Sequence, residues 1–201
     1  MSKRVAVLGG TFDPVHFGHL IMAEQAYNSF DLDEIIFIPS GKPPHKNHEH
    51  VSQAAHRLEM VRRAVGDNEH FSVSEWEIDR KEESYTVETL KYFENSYPGW
   101  HIYFLIGADS LYDVFNWKAP EYILGHANLI VVSRPGYSLE NIYKDDRFRP
   151  YRQRINILEG ILINISSSEI RKLYSEGNSI KYLVPREVEE YIIDHNLYRR
   201  D

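Results

Sequence analysis

The chain has 201 residues, of which 42% are hydrophobic and 26% charged, and its formal net charge is −7. This composition is typical of a globular domain with a full hydrophobic core, and the acidic balance disfavours a protein that coats nucleic acid. The sequence has no cysteine, which excludes disulfides, thiolate nucleophiles and cysteine-ligated zinc.

The apolar runs of the sequence are short. A bilayer-spanning helix needs about 20 apolar residues, and no run approaches that length. The first run, RVAVL, is followed by two glycines and then polar residues, so it predicts a strand rather than a signal peptide. We therefore expect a cytoplasmic protein whose partners include neither a membrane nor nucleic acid.

Short β-branched runs alternate along the chain with longer amphipathic segments. Strands are predicted at 4–9, 34–39, 71–78, 101–107, 128–134 and 160–165. Helices are predicted near 18–29, 53–65, 86–95, 109–116, 119–125, 167–176 and 185–195, the last opened by Pro185. This alternation indicates a doubly wound α/β fold, a mainly parallel sheet with helices on both faces. One domain, 1–201, is expected, with a helical portion from about 166.

Two segments interrupt the alternation. The basic, proline-rich segment 40–53 predicts a long loop, and the polar segment 133–154 predicts turns. Open parallel sheets bind ligands beyond the carboxyl ends of their strands. The residues best suited to chemistry follow predicted strands, at 9–19, 107–109, 133–134 and 166–171.

The segment GGTFDPVHFGH combines two glycines with two histidines three residues apart. Gly9 and Gly10 allow a backbone to approach a ligand closely, and their spacing differs from the G-x-G-x-x-G of dinucleotide folds. His16 and His19 are expected on one side of the next helix's first turn, where amides and the helix dipole attract phosphate. The alternative is a pair of helix-entry histidines without a ligand.

The segment ISSSEIR offers a second helix entrance. Ser166 and Glu169 fit a capping box, and capping alone, with Arg171 on a solvated face, is one interpretation. The other is that serine hydroxyls and Arg171 bind a polyphosphate in the same pocket as the histidines. The presence of the histidine motif favours the second interpretation.

Taken together, these motifs resemble a known family. GGTFDPVHFGH resembles the first signature of the HxGH nucleotidyltransferases, and ISSSEIR is similar to their second, with Ser168 where threonine is common. With PSGKPPHK, SYTVET, GADS, Trp117 and SRPG in order, the whole chain resembles the bacterial nicotinate-nucleotide adenylyltransferases. The resemblance implies a Rossmann-like fold and adenylyl transfer from ATP to nicotinate mononucleotide, giving deamido-NAD and pyrophosphate in NAD biosynthesis.

The resemblance also implies roles for individual residues. It makes His16, His19 and Arg171 catalytic, with no protein metal ligand and with Mg²⁺ bound mainly through the ATP phosphates. The ATP site that it implies comprises Gly9, Gly10, Thr11, Phe12, His16, Gly18, His19, Gly107, Asp109, Ser133, Arg134, Ile165, Ser166, Ser167 and Arg171. The mononucleotide site that it implies comprises Lys42, His45, Lys46, Tyr85, Thr86, Tyr112 and Trp117.

Some of these residues have plainer interpretations. Thr86 suits a helix cap, Trp117 suits a packed core, and the basic residues of the 40–53 loop suit a solvated surface. His45, His48 and His50 also suggest a metal cluster, although their spacing is irregular.

Two other functions stay open at this point. One is another HxGH enzyme, such as a pantetheine-phosphate adenylyltransferase or a cytidylyltransferase. The other is a non-catalytic nucleotide-binding module, against which the presence of both histidines and Arg171 argues. The Tyr- and Arg-rich segments 143–154 and 191–200 leave a homodimer open, and the sequence does not fix the preference for nicotinate over nicotinamide.

Overall fold

The computed structural model describes residues 2–43, 51–133, 142, 144–161 and 163–199. Its strands are β1 (Arg4–Gly10), β2 (Glu34–Pro39), β3 (Phe71–Val73), β4 (His101–Gly107), β5 (Asn128–Val132) and β6 (Ile155–Leu158). They form one sheet in the order β3-β2-β1-β4-β5-β6, in which every neighbouring pair is parallel. The predicted doubly wound fold is confirmed.

The helices follow the strands in alternation. They are α1 (Phe17–Ser29), α2 (Ala54–Val65), α3 (Thr86–Ser96), α4 (Ala108–Asp113), α5 (Pro120–His126), α6 (Ser167–Ser175) and α7 (Arg186–Asp194). The helix predicted at 109–116 is α4 followed by a 3₁₀ turn, Val114–Asn116, and a second 3₁₀ segment spans Asp146–Arg154. None of the described helices has the length and apolar character that crossing a bilayer requires.

Both faces of the sheet are covered, as the side-chain alternation of β1 shows. Ala6 and Leu8 point into a core shared with α1, α2, α6 and α7. Val5 and Val7 point into a second core, shared with α3, α4 and α5. All four side chains are essentially buried. A strand buried on both faces needs apolar residues at every position, which explains the continuous run VAVL.

The strand predicted at 71–78 is wrong beyond Val73. The ladder with β2 ends there, and the N–H groups of Ile78 and Asp79 both donate to the carbonyl of Glu75, which makes a turn. The apolar-polar alternation of FSVSEWEI changes phase at the adjacent polar residues Ser74 and Glu75, and Trp76 beyond them stacks on Tyr92 of α3. The sequence prediction treated both parts as one strand. Alternation alone therefore overstated the length of the strand.

The strand predicted at 160–165 is also wrong. The sixth strand is Ile155–Leu158, which pairs with β5 and buries both of its terminal residues. Ile161 and Ile163 instead lie outside the sheet, with 70% and 38% of their surface exposed. The neighbouring β-branched runs 155–158 and 160–165 both suit a strand, and the first of them pairs with β5. β5 likewise ends at Val132, two residues before the predicted bound, and Arg134 lies outside the described residues.

The strand order places a crevice at one edge of the sheet. β1 is flanked by β2 and β4, so the chain winds away from β1 in two opposite directions. At such a switch point the loops beyond the carboxyl ends diverge and leave room for a ligand. Gly10 and Gly107 end the two strands at this point.

Candidate active site

A cleft with a volume of about 350 Å³ opens at the carboxyl ends of β1 and β4. Its walls come from the β1–α1 loop, the residues after β2, the N-terminus of α3 and the segment after α4. The predicted site residues that line it are Gly9, Gly10, Thr11, His19, Tyr85, Thr86, Gly107 and Trp117. The cleft therefore joins residues predicted for ATP with residues predicted for the mononucleotide.

The two glycines at the end of β1 have different roles. A Cβ added to Gly9 would meet no atom within 4 Å, so Gly9 faces open space. A Cβ added to Gly10 would lie 2.9 Å from the ring of Phe12, which is buried. Phe12 contacts His19 edge-on, with ring centroids 5.0 Å apart. Phe12 thus packs beneath the cleft against His19, and Gly9 is the glycine that leaves space for a ligand.

His16 and His19 form one unit at the N-terminus of α1. The backbone N–H of His16 donates to Nδ1 of His19 at 3.3 Å, and the two rings stack with centroids 3.7 Å apart. A ring nitrogen that accepts a hydrogen bond carries no proton, so neutral His19 holds its proton on Nε2. His19 lines the cleft, where an N–H donor suits a phosphate oxygen.

His16 lies deeper than its partner, with 3% of its surface exposed. With Gly18, Ser133 and Ile165 it borders a small cavity of about 30 Å³ beside the main cleft. A Cβ on Gly18 would lie 3.0 Å from Nδ1 of His16, so glycine at this position leaves room for the imidazole. The glycine of the H-x-G-H pattern therefore has a steric reason.

The ISSSEIR segment forms one half of the predicted capping box, the bond from the Glu169 N–H to the Ser166 side chain. The hydroxyl of Ser166 donates to the Glu169 carboxylate at 2.8 Å, and it accepts the Glu169 N–H at 3.2 Å. The Glu169 N–H is thereby capped, but the Glu169 carboxylate bonds the Ser166 hydroxyl and not the Ser166 backbone N–H that a full capping box would use.

The same segment docks α6 against the histidine loop. The hydroxyl of Ser167 donates to the carbonyl of Pro14 at 2.8 Å, and Nη1 of Arg171 donates to the carbonyl of Asp13 at 2.6 Å. The two sequence signatures are therefore in direct contact, through residues 153 and 158 positions apart along the chain. Arg171 lies beside the loop that leads to His16.

Other predicted residues lie apart from the cleft lining. Nζ of Lys42 donates to the carbonyl of Lys81 at 2.8 Å. Tyr112 packs against the second core, and its burial together with the nearby charge of Asp145 raises its pKa. Asp109 lies in the first turn of α4. His45, Lys46, His48, His50 and Arg134 fall outside the described residues.

Several cleft residues were missed by sequence reasoning: Ser40, Pro43, Glu77, Ser84, Thr89, Ser110 and Lys118. Glu77 is 8% exposed and accepts a hydrogen bond from the Thr89 hydroxyl at 2.6 Å; burial raises its pKa. Nζ of Lys118 lies 4.2 Å from the ring centroid of Tyr85 and 3.5 Å from Glu88. For Lys118, the sequence signal was its position next to Trp117.

Comparison with known proteins agrees with this geometry. A family model described as cytidylyltransferase-like matches residues 7–173. The probable nicotinate-nucleotide adenylyltransferase of Desulfitobacterium hafniense is 42% identical over 201 residues, covering 98% of this chain and 96% of the relative. That of Clostridium tetani is 40% identical over 199 residues, covering 98% and 100%.

A solved structure shares the fold. The nicotinic acid mononucleotide adenylyltransferase of Plasmodium falciparum, complexed with NaAD, is similar with a TM-score of 0.79 at 22% identity, over 98% of this chain and 97% of the other. The curated relatives, at higher identity, identify the family. The chain belongs to the nicotinate-nucleotide adenylyltransferases, within the cytidylyltransferase-like nucleotidyltransferases.

Proposed function

We propose that the cleft binds ATP and nicotinate mononucleotide together and that the chain transfers the adenylyl group of ATP to the mononucleotide. The products are deamido-NAD and pyrophosphate, in NAD biosynthesis. The observation that carries this proposal is that His19 of the histidine motif lines the same cleft as Tyr85, Thr86 and Trp117. The 42% identity to a relative named for this activity supports it.

The acceptor half of the site lies between α3 and the segment after α4. Trp117 is half-buried at the cleft and offers a face on which a pyridine ring stacks. Thr86 is the first residue of α3, and the first amides of a helix have no acceptor within it. These amides and the helix dipole suit the nicotinate carboxylate. Charge and stacking together therefore define a nicotinate subsite.

The ATP half lies around the N-terminus of α1. Gly9 leaves open space next to β1, and the amides of the first turn of α1 attract phosphate oxygens. His19 adds the Nε2 donor, and Arg171 adds a positive charge from α6. These groups stabilise the charge that develops as pyrophosphate departs.

The reaction needs alignment rather than a general base. A phosphate oxygen of the mononucleotide attacks the α-phosphorus of ATP, and the bond from that phosphorus to the pyrophosphate oxygen breaks. The attacking phosphate monoester has a second pKa of about 6, so it is already largely ionised at neutral pH. The protein's task is to hold the two substrates in line and to neutralise charge.

We propose that Mg²⁺ binds to the protein together with ATP. Among the residues that the structure describes, no group of three or more His, Asp or Glu side chains has the arrangement of a metal site. Mg²⁺ keeps several waters and readily takes phosphate oxygens as ligands. We therefore propose that ATP phosphates and water, rather than a protein cage, hold the ion.

Three further expectations from the sequence stay predictions. They are the cytoplasmic location, the organisation of 1–201 as one domain, and the homodimer that the segments 143–154 and 191–200 leave open. Size-exclusion chromatography with light scattering measures the oligomeric state directly.

A panel of acceptors tests the proposed function. The purified chain is incubated with ATP, Mg²⁺ and one acceptor at a time, and pyrophosphate release is measured. Release with nicotinate mononucleotide is expected. Release with 4′-phosphopantetheine instead would assign a different adenylyltransferase activity, and no release with any acceptor would favour a binding module.

A further inference from the structure

The carboxylate of Asp13 is the centre of a buried polar cluster behind the histidine loop. Asp13 is 1% exposed. Its Oδ1 accepts the hydroxyl of Tyr198 at 2.7 Å, its Oδ2 accepts the backbone N–H of Ser52 at 3.3 Å, and Nη1 of Arg171 lies 3.9 Å from Oδ2. A buried carboxylate with three partners on three sides is held in one orientation.

Tyr198 reaches Asp13 from the segment that follows α7, 185 residues away along the chain. Burial and the negative charge of Asp13 both raise the pKa of Tyr198, so the phenol keeps its proton at neutral pH. A phenol has a single O–H to donate, and here it donates a hydrogen bond to Oδ1 of Asp13. The hydroxyl therefore acts as a fixed donor to the histidine loop.

The backbone of the same loop is held by other side chains. Nη1 of Arg57 donates to the carbonyl of Thr11 at 2.8 Å, and Arg171 donates to the carbonyl of Asp13 at 2.6 Å. Arg57 is 1% exposed. The loop from Thr11 to Pro14 thus has backbone anchors on α2 and α6, and the Asp13 side chain ties it to the segment after α7.

The cluster connects groups that act on the reacting phosphates. Asp13 lies three residues before His16, which caps α1 and stacks on His19. It also lies between Arg171 and Ser52, and Ser52 ends the segment that begins after β2 at the cleft. Asp13 thus contacts Arg171 and also belongs to the loop that leads to the histidine pair.

We propose that Tyr198 is a positioning residue for adenylyl transfer. By fixing Asp13 it sets the histidine loop and Arg171 relative to each other, without touching either substrate. This inference rests on the proposed function. Displacement of a catalytic group by about 1 Å costs up to 100-fold in rate, whereas substrate binding by Trp117 and α3 depends on other elements.

The conservative variant Tyr198→Phe tests the proposal, because it keeps the ring and removes only the hydroxyl. We expect kcat for adenylyl transfer to fall about tenfold while both KM values stay within about twofold of the wild type. The assay is run well below the melting temperature of each variant. A lower melting temperature with unchanged kcat would show that Tyr198 only stabilises the fold, and would overturn the proposal.

A double-mutant cycle identifies the residue through which Tyr198 acts. Asp13→Ala removes both carboxylate oxygens, and with them the acceptor of the Tyr198 hydroxyl, and is expected to lower kcat at least as much as Tyr198→Phe. If Tyr198 acts through Asp13, the double variant loses no more than Asp13→Ala alone. Losses that multiply would contradict the proposed route. Wild-type pyrophosphate release, measured in parallel, keeps failure of the proposed function separate from failure of this inference.

Tyr182→Phe is the matched control. Tyr182 is 79% exposed, so loss of its hydroxyl is expected to leave kcat and both KM values unchanged. An equal loss of kcat in this control would show that the effect is not specific to Tyr198.

Discussion

The imidazole rings of His16 and His19 stack with their centroids 3.7 Å apart and their planes 25° from parallel. The hydrogen bond from the His16 N–H to Nδ1 of His19 fixes which nitrogen of His19 carries the proton. His16 thus occupies the N-cap of α1, and His19 lines the cleft. The spacing of three residues is what allows both roles in one helical turn.

The variant His19→Asn separates the two functions proposed for His19, accepting the His16 N–H and donating from Nε2 to a phosphate. The asparagine side-chain oxygen can still accept the His16 N–H, but the Nε2 donor is lost. We expect kcat to fall about 100-fold or more, the typical cost of removing one donor to a transition-state charge. The measurement is pyrophosphate release at saturating substrates, with thermal unfolding as the check on folding.

His126→Asn is the control for this prediction. His126 ends α5 and stacks on Tyr122, outside the cleft lining. Its replacement is expected to leave kcat unchanged. Near-native turnover in His19→Asn itself would contradict the assignment of His19 to catalysis.

Trp117 is predicted to act through binding. Trp117→Leu removes the stacking face, and stacking on an aromatic side chain contributes about 1–3 kcal/mol per base. We expect KM for nicotinate mononucleotide to rise about tenfold, with KM for ATP little changed. Steady-state kinetics on Trp117→Leu and on Trp100→Leu decide the question, because Trp100 stacks on Tyr97 away from the cleft. An unchanged KM in Trp117→Leu would show that Trp117 serves only packing.

Lys118 is predicted to favour the nicotinate carboxylate over the nicotinamide amide. Its ammonium lies over Tyr85 at the cleft and is about half-exposed, with 51% of its side chain accessible. The charge is screened there, so we expect Lys118→Met to lower kcat/KM for nicotinate mononucleotide by only about fivefold. The value for nicotinamide mononucleotide is expected to stay unchanged.

Lys91→Met is the matched control, because Lys91 lies over Tyr122 outside the cleft lining. It is expected to leave both values unchanged. An equal fall for the two mononucleotides in Lys118→Met would rule out a role in selectivity.

Glu77 is predicted to make stability depend on pH. Burial raises the pKa of Glu77, so the native state holds the proton more tightly than the unfolded chain does. The free energy of unfolding therefore falls as pH rises from the ordinary glutamate value, about 4.3, through the raised native value. Glu77→Gln removes this penalty. The free energy of unfolding of the variant, relative to that of the wild type, is therefore expected to increase between about pH 4 and pH 7.

Urea unfolding at the two pH values measures this gain, with the exposed Glu82→Gln as control. If the difference in free energy of unfolding between Glu77→Gln and the wild type does not change with pH, Glu77 ionises as readily in the native state as in the unfolded chain.

Local patterns were sufficient where one segment determines its own structure. The glycine pair and the histidines marked the end of β1 and the start of α1, and Pro185 marked the start of α7. Ser166 caps α6 by accepting the Glu169 N–H, as their spacing indicates. Each of these features depends on neighbours within four residues, and the sequence shows such neighbours directly.

Long-range pairing was beyond the reach of these patterns. INIL and GILINI are equally suited to a strand, and only contact with β5 selects Ile155–Leu158. Glu77 was predicted to lie in a strand, but it lies in the turn after β3 and accepts a hydrogen bond from Thr89 of α3. The bond from Tyr198 to Asp13 joins residues 185 positions apart, and no spacing rule connects them. The roles predicted for the site residues stay predictions until substrates are bound or variants are assayed.

The most direct test of the account follows the α-phosphate of ATP. The chain is incubated with ATP labelled at that phosphate, with and without nicotinate mononucleotide, and the products are separated. We predict that the label enters a dinucleotide only when nicotinate mononucleotide is present, with one pyrophosphate released for each dinucleotide formed. Label that stays in ATP, or that appears only in AMP, would contradict adenylyl transfer to this acceptor.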